Sequence, residues 1–476
     1  MSRLSRTIGV PVATFALLSI GLTACGSVPD ADPDAGKPKL RGERELVAGN
    51  VDPDEMENER RHVVPLGPFH PVTAAAAPGW AGQSVMDQTK DDWEPATAFD
   101  PNGTYGYLLT TRYGEAKACN NCPSPSIWIY RSTNGGAAWG TPTYLCACPK
   151  VKGQFDPLIE VDGNGTVYAV WMNDFNPGVV FAKSADHGAT WSAPVPLDGR
   201  LNWSDKPTLA VSANGQDVYV GFNHSDSYIA ASHDGGASWA APVKTNTDGR
   251  YYFAGGGAVL PNGTAVLTSS SFTQNSTGDV FTHVMRSTNG GASWTQSQVA
   301  TSPEQPACFA PGCPVDYYGT IPALAADAQG RLVLAYTGPT VAKGPQRIYV
   351  RTSADGGMTW TAAIDLGGAA GTNSNFAALA GTGTGDFRLF YLQDAGGGDT
   401  WNTYFRRSTN GGATWSAPVD ISDATGGPPY VSPAGFLEPY GDYGEIAVLP
   451  TGGTFATWGE GPSYSGPGGV WINRST

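Results

Sequence analysis

The sequence predicts an all-β fold, a seven-bladed β-propeller, on three observations. A short motif recurs, a strand–turn–strand pattern recurs in step with it, and the chain breaks off inside a further copy. The motif, Ser-x-Asp/Asn-x-Gly-x-x-Trp, reads STNGGAAW from Ser132, SADHGATW from Ser184 and SHDGGASW from Ser232. It returns as STNGGASW from Ser287, SADGGMTW from Ser353 and STNGGATW from Ser408. Intervals of 48 to 66 residues between copies suit blades or arrays rather than independent domains. In each copy the Asp or Asn side chain can accept bonds from its own turn, Gly takes a positive φ, and Trp packs on the sheet beneath. That repetition makes Asp186, Asp234 and Asp355 turn-holding residues rather than catalysts.

The second pattern is an apolar strand, a turn and another apolar strand. Glu94-Pro95 leads into ATAFDPNGTYGYLLT, Asp156-Pro157 into LIEVDGNGTVYAVW, and Lys206-Pro207 into TLAVSANGQDVYVGF. Weaker versions begin at Gly255, Ile321 and Phe376, and a seventh, GEIAVLPTGGTFATW, follows Tyr443. Seven strand pairs thus meet six motifs. Arg-Ser-Thr closes the third strand at Arg131, Arg286 and Arg407, and again at Arg474, where the seventh motif is cut off. The last blade therefore lacks an outer strand, and the segment Trp80 to Met86 is expected to supply it, closing the ring. A six-bladed ring is the second choice. The propeller is expected to span residues 75–476.

With 63 Gly, 37 Pro and only 15% charged residues, the chain is rich in turns and poor in long-helix material. Its 14 Trp and 20 Tyr suit sheet packing and stacking on flat ligand faces. A net charge of −14 with no basic stripe excludes nucleic acid as a partner. At the N-terminus Arg3 and Arg6 precede an apolar run, Gly9 to Leu22, too short for a membrane span. Leu22-Thr23-Ala24-Cys25 resembles the bacterial lipobox, which implies removal of residues 1–24 as a signal peptide and lipid on Cys25. Residues 25–74, rich in Pro, Asp, Glu and Arg, then form a flexible tether. The expected location is the bacterial cell envelope, held through that lipid alone.

Six cysteines remain, an even count that suggests disulfides in an oxidising compartment. Cys308 and Cys313 flank a short loop and are expected to pair. A bridge across Cys146-Ala147-Cys148 would be cramped, so cross-links between the Cys119/Cys122 and Cys146/Cys148 clusters are expected. The same four thiolates could instead hold zinc.

The repeats resemble the Asp-box (bacterial neuraminidase) repeats of the sialidase superfamily over nearly all of residues 80 to 476. The resemblance implies a sialidase-like propeller and an activity on glycans. Sialidases are typically six-bladed and open with Arg-Ile-Pro, the first of three arginines that grip a substrate carboxylate. Here the first inner strand begins Trp93-Glu94-Pro95, and Arg-Ile-Pro occurs nowhere. Neither the arginine triad nor the tyrosine–glutamate nucleophile pair is therefore carried over to particular residues.

Ligands of such a fold bind over the channel mouth, on the face opposite the Asp-boxes. Loops leading into the inner strands bring Glu94, Asp156, Asp205, Lys206, Arg250, Tyr251, Tyr252, Tyr317, Tyr318, Glu438, Tyr440, Asp442 and Tyr443 to that face. Loops leaving the second strands add Arg112, Tyr113, Asp174 and His224. In repeat register Glu94, Asp156, Lys206 and Tyr443 share one position, just ahead of the inner strand. Carboxylates there could hold sugar hydroxyls or flank a scissile bond, and His224 with Tyr443 could serve as base and acid of a lyase. The candidate catalytic set is Glu94, Asp156, Tyr443 and His224, with the remainder assigned to substrate binding. A glycoside hydrolase leads, and a non-catalytic glycan- or protein-binding propeller and a polysaccharide lyase are the alternatives. No cofactor is required, calcium suits converging acidic groups, and a monomer that engages extracellular carbohydrate is expected.

Overall fold

The computed structural model describes residues 76–113, 122–145, 151–176, 178–273, 278–305, 321–394, 401–422, 444–460 and 469–475. The signal, the tether and Cys25 lie outside them. Seven antiparallel four-stranded sheets form the blades, so seven replaces the six-bladed alternative. Blade 1 comprises Asp91–Phe99, Gly106–Tyr113, Ser126–Ser132 and Thr143–Tyr144. Blades 2 to 6 open with inner strands Gln154–Val161, Asp205–Val211, Tyr251–Val259, Ala323–Ala326 and Ser374–Thr382. Second strands are covered on both faces, which is why Val167–Asn173 reads as a nearly continuous apolar run.

Blade 7 takes Gly444–Val448, Thr454–Glu460 and Gly469–Arg474 from the end of the chain and Ser84–Val85 from its beginning. Ser84 pairs with Ile472 and Val85 with Trp471, and Trp80 bridges Ser475. The expected N-terminal closure is thus in place, although the strand is shorter than the segment proposed for it.

The Asp-box gives its serine a role that the motif alone did not disclose. In blade 1 the Ser132 hydroxyl donates to Asn134 Oδ1 at 2.9 Å and accepts the Gly136 N–H at 2.9 Å, while Asn134 Oδ1 also accepts the Ala138 N–H at 2.8 Å. The serine contacts recur at Ser184, Ser232, Ser287, Ser353 and Ser408. Both glycines of this turn have positive φ, 67° at Gly135 and 78° at Gly136. In blade 2 His187 stands at the first of these positions with φ 57°, and its ring stacks on Tyr105 at 4.0 Å.

Each Asp-box Trp packs toward the preceding blade rather than only on its own sheet. Trp239 of blade 3 meets Phe181 of blade 2 at 4.8 Å, Trp294 of blade 4 meets Tyr219 of blade 3 at 5.8 Å, and Trp139 of blade 1 meets Phe455 of blade 7 at 5.5 Å. Trp191, Trp360 and Trp415 join the apolar clusters shared with blades 1, 4 and 5 respectively. The residue before the motif serine adds a polar stitch to the following blade. Arg131 donates to the His187 carbonyl, Lys183 to that of Gly235 and Arg286 to that of Gly356. Among the described residues blade 7 shows no such turn, and Arg407 of blade 6 bonds Asp386 of its own blade instead.

Trp80 fills that gap. It packs edge-on against Phe405 of blade 6 at 5.0 Å. Phe405 lies three residues before the motif serine Ser408, as Phe181 lies three before Ser184. A tryptophan from the N-terminal segment therefore occupies the place of the missing seventh wedge. Replacing Trp80 with Ala should lower stability by about 3–5 kcal/mol, measured as a reduced urea midpoint. Adding Phe405→Ala should cost less than the sum of the two single effects. An unchanged midpoint in Trp80→Ala would refute the wedge.

Candidate functional site

The shared position at the channel mouth lies inside the inner strands, at a β-bulge, and not ahead of them as the repeat register suggested. Pairing breaks between Trp93 and Ala96, Phe155 and Leu158, Asp205 and Thr208, and Asn375 and Ala378. At the first residue of each bulge φ is positive: 56° at Glu94, 53° at Asp156, 46° at Lys206 and 50° at Phe376. Proline follows in three of the four, at Pro95, Pro157 and Pro207. It has no N–H for the ladder and disfavours right-handed helical backbone before it. Such left-handed non-glycine residues cost about 1–3 kcal/mol each. In blade 4 the register breaks over Gly255 and Gly256, which lie close against Pro322 and Leu324 of blade 5.

Three of these residues form a row across blades 1 to 3. Glu94 is buried and accepts three bonds, from Thr111 Oγ1 at 2.6 Å, the Tyr113 hydroxyl at 2.9 Å and the Asp156 N–H at 2.9 Å. Asp156 Oδ2 lies 3.4 Å from Lys206 Nζ, with both side chains largely buried. Asp205 accepts the Lys206 N–H at 2.7 Å and so fixes the third bulge.

Below the row is a cavity of about 160 Å³. Its wall runs from Lys206 through Thr208 and the small residues of blades 4 to 6 to Glu160 of blade 2 and Glu445 of blade 7. Glu160 is exposed along the axis and Glu445 partly so, with strands of the neighbouring blades packed around both. Burial pushes the Glu160 carboxyl up to about 7. Burial, and then the charge of Glu160, pushes Glu445 up to about 8. Neither residue belonged to the sequence-based set. The available signal was a glutamate within otherwise apolar inner strands, LIEV and GEIAV.

Several expected ligand-binding residues are structural. Arg112 is buried and donates from Nε and Nη2 to the two oxygens of Asp92 at 2.7 and 2.8 Å. Its guanidinium lies 4.5 Å from the Trp128 ring centre, so this arginine braces blade 1 and does not face a ligand. Tyr113, Tyr251 and Tyr252 are likewise buried. Tyr113 serves Glu94, Tyr251 packs on Phe253 and Phe272, and Tyr252 donates to Asp248. Strand pairing carries them into the blades, because each expected loop residue continues a strand. Arg250 donates to Ser271 Oγ and lies over Phe281 at 4.0 Å.

Asp174 remains partly exposed in a left-handed turn, φ 55°, and accepts the Phe175 N–H. His224 is half-buried, its Nδ1 2.9 Å from the Trp203 carbonyl and its ring 4.5 Å from the Trp203 ring. Burial lowers its pKa, so the ring is neutral near pH 7, with Nδ1 as donor and Nε2 as acceptor. Tyr317, Tyr318, Glu438, Tyr440, Asp442 and Tyr443 lie outside the described residues, as do Cys119, Cys146, Cys148, Cys308 and Cys313. Cys122 is buried and disulfide-bonded. Among the described residues no group of three or more His, Cys, Asp or Glu side chains comes together as a metal site.

His283 sits beneath Arg250 and Tyr252, with Nε2 2.8 Å from Ser271 Oγ. Burial holds its pKa down at about 4, below the unfolded value of about 6.5. Between these values the unfolded chain binds the extra proton, so this histidine removes stability as pH falls through that window. Relative to His283→Gln, the wild type should lose about 3 kcal/mol between pH 7 and pH 4, measured by urea unfolding at each pH. Parallel pH profiles for the two proteins would contradict the buried, neutral assignment.

No family model matches the chain, and no curated protein matches it in sequence. Among solved structures, its fold is similar to that of a protein of unknown function from Dyadobacter fermentans, at 16% identity and a TM-score of 0.46 over 83% of this chain and 98% of that one. It is also similar to the Hadza microbial sialidase Hz136, at 12% identity and a TM-score of 0.44 over 81% and 66%. An ulvan lyase of polysaccharide lyase family PL25 matches at 12% identity and a TM-score of 0.47 over 83% and 94%. At these identities the likeness is one of fold.

Proposed function

We propose that the protein binds an extracellular glycan over the mouth of its axial channel and cleaves it by glycosidase-type hydrolysis. The observation that carries this reading is the Asp156–Lys206 pair, held on two successive left-handed bulges at the rim. Strained backbone persists where the surrounding structure enforces it, and it concentrates at functional sites. Here it fixes a carboxylate and an ammonium side by side at the mouth. Half-buried rings of His224 and Tyr228 stand nearby, His224 tilted against the buried Trp203 and meeting Tyr228 edge-on. Carboxylates hold sugar hydroxyls, and aromatic faces stack on sugar rings.

Hydrolysis needs two carboxyl groups with divided roles. Asp156 is the carboxylate placed to take the proton of an attacking water, with Lys206 holding it in position. Glu94, between blades 1 and 2, is engaged by three donors and serves as the anchor that sets the Asp156 backbone. The same saturation of Glu94 favours a second reading, a propeller that recognises a glycan without turning it over. Export through residues 1–24 and anchoring through a lipid on Cys25 belong to the proposal, because they would bring the mouth to an extracellular polymer.

The test is turnover on a panel of sialosides and of acidic and neutral polysaccharides, followed by reducing ends and ultraviolet absorbance. Asp156→Asn should reduce cleavage by roughly 10²-fold or more while retaining binding, and Lys206→Met should weaken both. New absorbance would mark elimination in place of hydrolysis. Binding without turnover in the wild type would sink the hydrolytic reading and leave a recognition module.

A further inference from the structure

We propose that Glu445 is the proton donor of this site, delivering its proton from the axial cavity to the glycosidic oxygen of a sugar seated at the mouth. The proposal rests on the cleavage reading and deepens it, because that reading identifies one carboxylate, Asp156, and hydrolysis requires a second of opposite protonation.

Position is the first argument. Glu445 pairs with Thr457 of the second strand, as Leu158 pairs with Val170 and Thr208 with Gly221, the first pairs beyond the bulges of blades 2 and 3. Glu445 therefore stands two residues further along its strand than the level of Asp156 and Lys206, about 7 Å below the rim. It lines the same cavity whose upper wall is Lys206. Glu160 lies four residues past Asp156, about 13 Å down, too deep for a bond held at the rim. Blades 7 and 2 flank blade 1, so Glu445 and Asp156 approach the mouth from either side of the Glu94 anchor.

Hydrogen bonding is the second. Glu94 is held by three donors, Asp92 by Arg112 and Tyr130, and Asp156 by Lys206. Among the described residues the Glu445 carboxyl meets a single long contact, the Ile446 N–H at 3.4 Å. A carboxyl with so little to stabilise its anion, facing a narrow cavity, keeps its proton. The titratable groups around it support this. Glu160 faces it from blade 2 and repels its charge, while Lys206 on blade 3 is already paired with Asp156. Among the described residues the cavity wall from blades 4, 5 and 6 carries no ionisable side chain. The resulting pKa of about 8 leaves Glu445 protonated at neutral pH and close enough to it to donate.

The step balances as follows. The anomeric C–O bond breaks, its electron pair goes to the leaving oxygen, and that oxygen takes the Glu445 proton. Water forms the new C–O bond and gives a proton to Asp156, and exchange with solvent returns a proton to Glu445. The net change is glycoside plus water to a hemiacetal (reducing) sugar and the free alcohol.

The experiment compares the full-length wild type with Glu445→Gln on 4-nitrophenyl and methyl glycosides of neutral hexoses, uronic acids and sialic acid, from pH 5 to 10. Nitrophenolate leaves without protonation, and methanol does not. Glu445→Gln should therefore lose roughly 10²-fold or more in kcat/KM on the methyl glycosides and stay within a few-fold on the nitrophenyl ones. The alkaline limb near pH 8 in the wild-type profile should disappear. Glu160→Gln should keep proton donation but move that limb to lower pH, because the charge that raises Glu445 is gone. Equal losses on both substrate types, or a limb unmoved in Glu445→Gln, overturn the proton-donor assignment while cleavage itself stands. If the wild type cleaves neither kind, the cleavage reading falls and the assignment falls with it.

Discussion

The ring depends on a wedge. Each blade is a twisted four-stranded sheet whose apolar faces must be covered by its neighbours, and a tryptophan from the Asp-box is driven into each of these junctions. The motif's serine and its Asp or Asn exist to aim that tryptophan, since together they tie the turn's N–H groups into one rigid loop. Six copies leave one junction short. The chain supplies the seventh from its other end, where Trp80 meets Phe405 and a two-residue strand pairs with blade 7. Without that contribution blade 7 would have an open edge and an uncovered apolar face.

A closed ring is stiff, and stiffness lets the mouth hold strain. Four inner strands carry a left-handed residue at the same level, a conformation that a freely hinged blade would relax. Two of those residues, Asp156 and Lys206, are committed to each other across a blade boundary, and a third, Glu94, receives the backbone N–H of the next blade's bulge. The mouth is therefore assembled from between blades as much as from within them. Polar side chains set back from the axis, such as Arg112 and Tyr252, turn inward and stiffen single blades.

The axial cavity inverts the usual expectation for acidic side chains. Glu160 is exposed and Glu445 partly exposed to the axial column, yet the crowded and mostly small, apolar wall raises the cost of ionising both. Their mutual repulsion adds to the cost of ionisation. Placing a carboxyl with a raised pKa below a carboxylate held by an ammonium separates proton affinities within one site, the arrangement that acid–base chemistry at neutral pH requires.

The sequence by itself determined the number of blades, the recurring Ser-x-Asp/Asn-x-Gly turn and the origin of the closing strand. Each rests on a local turn repeated in register, and a turn is encoded by residues adjacent in the chain. It also placed Glu94, Asp156 and Lys206 at one level of the ring, because Glu-Pro, Asp-Pro and Lys-Pro recur at one point in the repeat. What each of them does was decided only by the tertiary structure. Whether a strand residue faces the axis or a neighbouring blade depends on where the bulge shifts the register, and one residue's slip exchanges the two faces. Arg112 with Tyr113 and Tyr251 with Tyr252 are consecutive strand residues on opposite faces, and both faces are covered there. Glu160 and Glu445, marked in sequence only as lone glutamates in apolar strands, acquired their proton affinity from six blades converging on one cavity, a distance in sequence that no local pattern spans.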